Sequence, residues 1–192
     1  MFILKKVYCR IFQKVFRIAL PLLPYREPEI LESIELIPEV VVKNGCKKPI
    51  IVTDKGIVNL GLIDSLVEAL KKSEIPFAIY DETVPNPTTD NVAKAYDLYK
   101  KENCDCLIAF GGGSSMDCAK ALGVQIVYPK KTLGQLKGIL KVHKKLPLLI
   151  AIPTTAGTGS ETTLAAIITD SKTRHKYAIN SFPLIPHYAV LD

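Results

Sequence analysis

Gly111, Gly112 and Gly113 stand in a row and are followed by Ser114, Ser115, Met116, Asp117 and Cys118. An apolar run, Leu107-Ile108-Ala109-Phe110, leads into them with the composition of a strand buried on both faces. What comes after the glycines is helix-forming and opens on serine. A strand that turns through glycines into a helix gathers bare backbone N–H groups and the positive end of a helix dipole at one point, free of side-chain bulk. Such a point suits a phosphate. The run fits neither G-x-G-x-x-G nor G-x-x-x-x-G-K-[ST], so on this stretch alone a tight turn without a ligand competes. A second stretch shifts the balance. Leu148 to Pro153 reads as another buried strand, and Thr154-Thr155-Ala156-Gly157-Thr158-Gly159-Ser160 crowds small and hydroxyl residues into the loop after it. A loop of that composition grips a polyhydroxylated or phosphorylated ligand without steric conflict, and two such loops imply one shared ligand.

Placing both loops together requires a sheet. Ile50 to Thr53 reads as a strand with Asp54 at its carboxyl end, then a helix from about Leu60 to Lys72 and a strand from Pro76 to Tyr80. A turn at Pro85-Asn86-Pro87 and a helix from Thr89 to Lys101 lead to the glycine-loop strand. Strands alternating with helices indicate an α/β fold, a Rossmann-like doubly wound and mainly parallel sheet with right-handed crossovers and ligands beyond the carboxyl ends of the strands. Asp54, the glycine turn and the threonine-rich loop all fall at that edge. Ser33 to Lys43 reads as a helix closed by Asn44-Gly45, although Pro38 and the valine run 40–42 speak against it. A short helix is expected at Thr132 to Leu140. Leu164–Thr169 and Lys176–Asn180, either side of a polar turn at 170–174, suggest an inserted β-hairpin, and Tyr188–Leu191 a last strand.

Composition limits the class. The chain has 192 residues, 48% apolar and 23% charged, which is enough for one well-buried globular domain. A net charge of +6 suits an anionic nucleotide, but it is too diffuse beyond residue 20 to indicate nucleic acid. Residues 1–28 stand apart from a domain at 29–192. In the first stretch Leu4, Val7, Tyr8, Ile11, Phe12, Val15, Ile18 and Ala19 share one helical side, and Lys6, Arg10, Gln13, Lys14 and Arg17 the other. Its apolar runs are too short to span a bilayer, and its charges break any signal-peptide core. The helix lies against protein, its commoner role, or against an anionic membrane surface. Pro21, Pro24 and Pro28 then make a connector. The five cysteines, Cys9, Cys46, Cys104, Cys106 and Cys118, contain no C-x-x-C. Cys104 and Cys106 face one side of an extended segment while Asp105 faces the other, a poor metal site without a histidine nearby. Reduced thiols in a cytoplasmic protein are the expectation.

GGGSSMDCAK at 111–120 and IPTTAGTGSETT at 152–163 together resemble the paired signature of the iron-containing, or group III, alcohol dehydrogenase family. IIVTDKG at 50–56, VPNPTTDNV at 84–92 and HKYAINSFPLIPHYAVLD at 175–192 agree in order and spacing. The resemblance covers roughly residues 45 to 192. It implies the N-terminal nucleotide-binding domain of an NAD(P)-dependent alcohol dehydrogenase or aldehyde reductase, which acts on a small alcohol or aldehyde by metal-assisted hydride transfer and is a homo-oligomer when intact. The cofactor would meet Gly111, Gly112, Gly113, Ser114 and Ser115, with Thr154, Thr155, Thr158 and Ser160 supplying hydroxyls to its pyrophosphate or ribose. Asp54 would accept hydrogen bonds from the adenosine ribose and so favour NAD over NADP, whose 2′-phosphate a carboxylate repels; it could equally be a helix cap. Asn86 resembles a position near the nucleotide, though Asn between prolines is also turn chemistry. Asp117, in the first turn of the glycine-loop helix, would lie near the nicotinamide, and Lys176 resembles the lysine that reaches the nicotinamide ribose.

The family's iron ligands, an aspartate and three histidines, lie at or after the point where this chain ends. His143, His175 and His187 have no ligand spacing. No metal ligand and no catalytic residue is therefore assigned, and Fe²⁺ or Zn²⁺ belongs to a C-terminal helical domain expected to be absent. Such a chain would bind NAD(H) weakly and turn over nothing. Two other classes share the features: an enzyme like glycerol dehydrogenase or dehydroquinate synthase, and a non-catalytic nucleotide-binding or membrane-peripheral module built on residues 2–20.

Overall fold

Apolar β-branched runs dictate the centre of the molecule. Pro49–Val52 (β2), Cys106–Gly111 (β4) and Leu149–Pro153 (β6) lie side by side, with Ile51 opposite Ile108 and Ile108 opposite Ile150. In this computed structural model, residues 25–191 are described, together with Arg10, Gln13, Lys14 and Arg17, which are helical and exposed. The apolar side expected for the N-terminal helix lies outside the described residues. Glu29–Leu31 (β1), Ala78–Tyr80 (β3) and Tyr188–Val190 (β9) complete a six-stranded sheet in the order β1-β9-β6-β4-β2-β3. Every pairing in it is parallel. The order reverses between β2 and β4, so the crevice of this doubly wound sheet opens beyond their carboxyl ends.

Both faces are covered, which explains why the strands read as unbroken apolar runs. Ile50, Val52, Leu107, Ala109 and Leu149 pack on Thr89–Lys101 (α4) through Val92 and Ala95, and on Gly113–Val127 (α5) through Met116, Ala119 and Leu122. The alternate residues Ile51, Ile108, Phe110, Ile150 and Ile152 pack on Ile37–Lys43 (α1) and Asp64–Lys72 (α3) through Ile37, Val41, Leu66 and Leu70.

Three expected elements are corrected. The helix foreseen from Leu60 starts earlier and is broken: Asp54 caps a short helix Lys55–Asn59 (α2), Gly61 turns at φ +69°, and α3 begins at Asp64. Thr132–Leu140 is a 3-10 turn, Leu133–Leu136, followed by a two-residue strand Gly138–Ile139 (β5), because Lys137 already turns extended at ψ 143° and Gly138 then takes φ +106°. Pro38 does not interrupt a helix at Ser33–Lys43. It sits in the first turn of α1, where its missing N–H costs nothing, after a separate 3-10 turn at Ile34–Leu36. The hairpin is present as Ala165–Thr169 (β7) and Lys176–Asn180 (β8), antiparallel, with β5 added alongside β8. Asp170 Oδ1 holds its turn by accepting the Lys172 and Thr173 N–H groups at 2.9 and 2.8 Å.

His187 ties the start of β9 to β6. Its Nδ1 accepts the Leu149 N–H at 3.1 Å, so the ring must stay unprotonated there. Burial, then the charges of Arg26 and Lys145, lower its pKa from 6.5 to about 4. Between those values the unfolded chain binds the extra proton, so this contribution is complete above pH 6.5 and is lost as pH falls through 4. After discounting for partial exposure the loss is about 1–2 kcal/mol. His187→Gln keeps an acceptor without a titrating group, and urea midpoints at neutral and acid pH should show it losing less stability than the parent.

Candidate nucleotide-binding cleft

β4 runs into Gly111 with φ +139°, where a Cβ would stand 2.7 Å from Ser115 Oγ. Backbone and space both demand glycine here. Gly112 follows at φ −79° as the N-cap of α5, and no side chain caps that helix. The first helix carbonyl to be used is that of Gly112, which accepts the Met116 N–H at 3.2 Å. The N–H groups of the turn before Met116 therefore point out of the helix end with its positive dipole.

They face a cleft of about 850 Å³. Its walls are Asp54–Ile57 after β2, Asp81–Pro85 after β3, Gly112–Ser115, and Thr154 with Thr155 after β6, while α4 adds Asn91 and Lys94. The threonine-rich loop is tied to the glycine turn, since the Thr154 N–H donates to the Gly111 carbonyl at 3.1 Å. A Cβ on Gly112 would lie 3.4 Å from Thr155 Oγ1, and one on Gly113 would lie 3.6 Å from Thr158 Cγ2. The two loops thus face each other across the sheet rim. Ser115 lines the cleft, and its Oγ is buried without a hydrogen-bond partner, a donor left over for a ligand oxygen.

Asp54 does two things at once. Its Oδ1 accepts the Ile57 N–H at 3.1 Å and caps α2, while the residue also lines the cleft. Nearby, Lys94 and Glu82 pair at 2.7 Å in solvent.

The remaining expected site residues form a second group beside the cleft, toward β7 and β8. Asn86 turns at φ +58°, its N–H donates to Ser114 Oγ at 3.3 Å, and its Oδ1 accepts from Lys176 Nζ at 2.6 Å. Lys176 is thereby linked through Asn86 to the glycine turn. Asp117 Oδ1 accepts from Ser160 Oγ at 3.2 Å. The helix begins at Gly113, so Asp117 lies beyond the first turn expected for it. Burial pushes its carboxyl up, opposed by a backbone bond from Ile167 and by the charge of Lys120.

Lys120 is the residue the sequence reading missed. It is fully buried, and its Nζ reaches Ser160 O at 2.6 Å, Thr163 O at 2.7 Å, Ala165 O at 3.0 Å and Thr163 Oγ1 at 3.1 Å. It fastens the end of the threonine-rich loop to α5, and burial lowers its pKa to about 8. The available signal was its place between Met116 and Val124 at a spacing of four, one buried stripe of the helix.

Among the described residues no set of histidines and carboxylates gathers at the cleft to hold an iron ion. A cluster of possible metal ligands among the described residues, Cys46, Asp105 and Cys106, stands elsewhere.

Comparisons with known proteins agree with this geometry. Alcohol dehydrogenase 4 of Schizosaccharomyces pombe is 43% identical over 150 residues, 78% of this chain and 35% of that protein. Choline dehydrogenase of Bacillus subtilis is 40% identical over 156 residues, covering 80% of this chain and 39% of its own length. The structure of a 1,3-propanediol oxidoreductase superposes with a TM-score of 0.83 at 32% identity, over 88% of this chain and 45% of the other. Sulfoacetaldehyde reductase of Bifidobacterium kashiwanohense, solved in complex with NAD⁺, gives a TM-score of 0.74 at 28% identity, over 88% and 46%. The chain spans less than half the length of these relatives. Residues 31–192 match the family described as iron-containing alcohol dehydrogenase, and with both glycine- and threonine-rich loops in place on its fold, the chain belongs to that family.

Proposed function

We propose that this chain supplies the NAD(H)-binding half of an alcohol dehydrogenase or aldehyde reductase acting on small molecules. The observation that carries the reading is the uncapped N-terminus of α5, opening onto a cleft whose nearest wall has no Cβ. The residues present fit a dinucleotide. Gly112, Gly113, Ser114 and the orphan Ser115 Oγ, with Thr154 and Thr155, offer donors for a pyrophosphate. Asp54 faces the ribose hydroxyls of the adenosine end. Gly111 sets the turn; Asn86, Asp117, Thr158, Ser160 and Lys176 flank the other end, where Lys176 is aimed by Asn86. Bound NAD(H) supplies the hydride acceptor or donor, and the chain's part is to fix the cofactor's orientation and exclude water around its phosphates. The described residues at the cleft do not fit iron, so no step is drawn through a metal. A cytoplasmic setting and a homo-oligomeric full-length enzyme belong to the same proposal; among the described residues no helix is long and apolar enough to cross a membrane.

NADH fluorescence titration of this chain tests the reading and should give weak, saturable binding. Turnover of an alcohol by this chain with added Fe²⁺ or Zn²⁺ would contradict the assignment of chemistry to residues elsewhere. Asp54→Asn separates Asp54's two roles: asparagine caps a helix as well as aspartate does, while the negative charge is gone. Discrimination against NADPH should drop by about tenfold with α2 intact by circular dichroism. Unchanged discrimination would leave Asp54 as a cap alone.

A further inference from the structure

Cys46 lies in the connection between α1 and β2, and Cys106 opens β4 on its α1–α3 side. These positions are sixty residues apart in the chain, yet Cys46, Cys106 and Asp105 each offer a ligand atom within 4.8 Å of the other two. Both cysteines are free thiols. The carboxylate between them is already oriented: Asp105 Oδ2 accepts the Lys47 N–H at 2.7 Å and Oδ1 the Lys48 N–H at 3.0 Å. Those two amides follow Cys46 directly, so the same bonds that aim Asp105 also hold the Cys46 loop against β4. Cys106 is fully buried and Cys46 half-buried, leaving an approach from solvent past Cys46.

We propose that Cys46, Asp105 and Cys106 form a binding site for a thiophilic divalent cation, with Zn²⁺ as the fitting ion. Two sulfurs and one carboxylate suit zinc or cadmium and discriminate against magnesium and calcium, which take oxygen. Three protein ligands leave a fourth tetrahedral position for water on the solvent side. On binding, each thiol releases its proton to solvent as a metal–sulfur bond forms, and no electron changes hands. The backbone N–H bonds to Asp105 supply the outer-sphere support that ligating carboxylates commonly have. The bound ion would crosslink two segments of the chain. It staples the α1–β2 connection to the start of β4, while the nucleotide cleft lies at the far end of that strand, about 15 Å away at the rise of an extended chain. Cys104 is not in the cluster.

The test is a Cd²⁺ titration of the reduced full chain, read by the ultraviolet cadmium–thiolate absorption, with Zn²⁺ as competitor. One equivalent should saturate the band at an intensity for two thiolates, and Zn²⁺ should abolish it. Cys46→Ser, a half-exposed loop substitution, should remove the two-thiolate band and weaken binding at least about tenfold. Asp105→Asn should keep the band and weaken binding by a similar factor, and Cys9→Ser and Cys104→Ala should leave it unchanged. A second reading needs no variant: Zn²⁺ should protect Cys46 from alkylation, measured by mass spectrometry, while Mg²⁺ should not. A band that survives Cys46→Ser, a band that is lost with Cys9→Ser, or Cys46 alkylating equally fast with and without Zn²⁺, would each overturn the proposal.

Discussion

Gly112→Val is expected to weaken NADH binding by about 100-fold, roughly 2.7 kcal/mol, while the thermal midpoint stays near the parent's. At φ −79° with extended ψ, Gly112 has a backbone that any residue can take. A Cβ there meets Thr155 Oγ1 at 3.4 Å, an ordinary contact. The branched side chain would stand between the two loops, where the proposed cofactor's phosphates would lie, and a filled hollow cannot collapse to accept them. Gly111→Ala is the contrasting change. Its Cβ would meet Ser115 Oγ at 2.7 Å in a left-handed backbone region, so it should lower stability by about 1–3 kcal/mol before any question of binding arises. Fluorescence titration and thermal melts on the pair separate a blocked site from a damaged fold. Parent-like NADH affinity in folded Gly112→Val would remove the glycine turn from the cofactor's path.

Where the local pattern decides the structure, the sequence was readable. The runs at 50–53, 107–110 and 148–153 could only be strands buried on both faces, and the parallel sheet with its loops at one edge follows from their alternation with helices. Asp54, Gly112 to Ser115, Thr154 and Thr155 converge on the cleft as that edge requires. Asn86 and Lys176 bond each other across ninety positions of chain, something only the resemblance could anticipate. The failures have a common cause. Gly61 ends one helical path through a positive φ and Lys137 ends another by turning extended, neither of which composition announces. Cys46 comes to Cys106 through a tertiary contact with no local periodicity behind it, and the helical spacing that puts Lys120 on a buried stripe does not say which carbonyls it will meet. A lysine amid alanines and leucines reads as a solvated end of a helix stripe; the fold instead turns it inward onto the carbonyls of Ser160, Thr163 and Ala165.

Lys120→Met should cost about 2 kcal/mol of stability, the difference between a relieved desolvation and three orphaned acceptors. Methionine has similar length and removes a buried charge, whose desolvation is visible as the fall in pKa from 10.5 to about 8; relieving it gains up to roughly 3 kcal/mol. Against this, the carbonyls of Ser160, Thr163 and Ala165 lose their donor. Orphaned acceptors cost about 1–3 kcal/mol each, less where water reaches them. Three acceptors outweigh one desolvation, and the threonine-rich loop, no longer fastened to α5, should also bind NADH more weakly. The pH dependence distinguishes this account from simple loss of packing. Between about 8 and 10.5 the unfolded chain holds a proton on Lys120 that the folded chain releases, so the parent gains stability as pH rises through that window. The variant lacks that term, while the tyrosines and cysteines titrating in the same range are common to both chains and cancel in the difference. The stability gap, read from urea midpoints, should therefore widen between pH 8 and pH 9.5 by up to about 2 kcal/mol. A constant gap would mean that burial does not penalise the Lys120 ammonium, and a narrowing one that the loop carbonyls stabilise the ammonium enough to outweigh its desolvation.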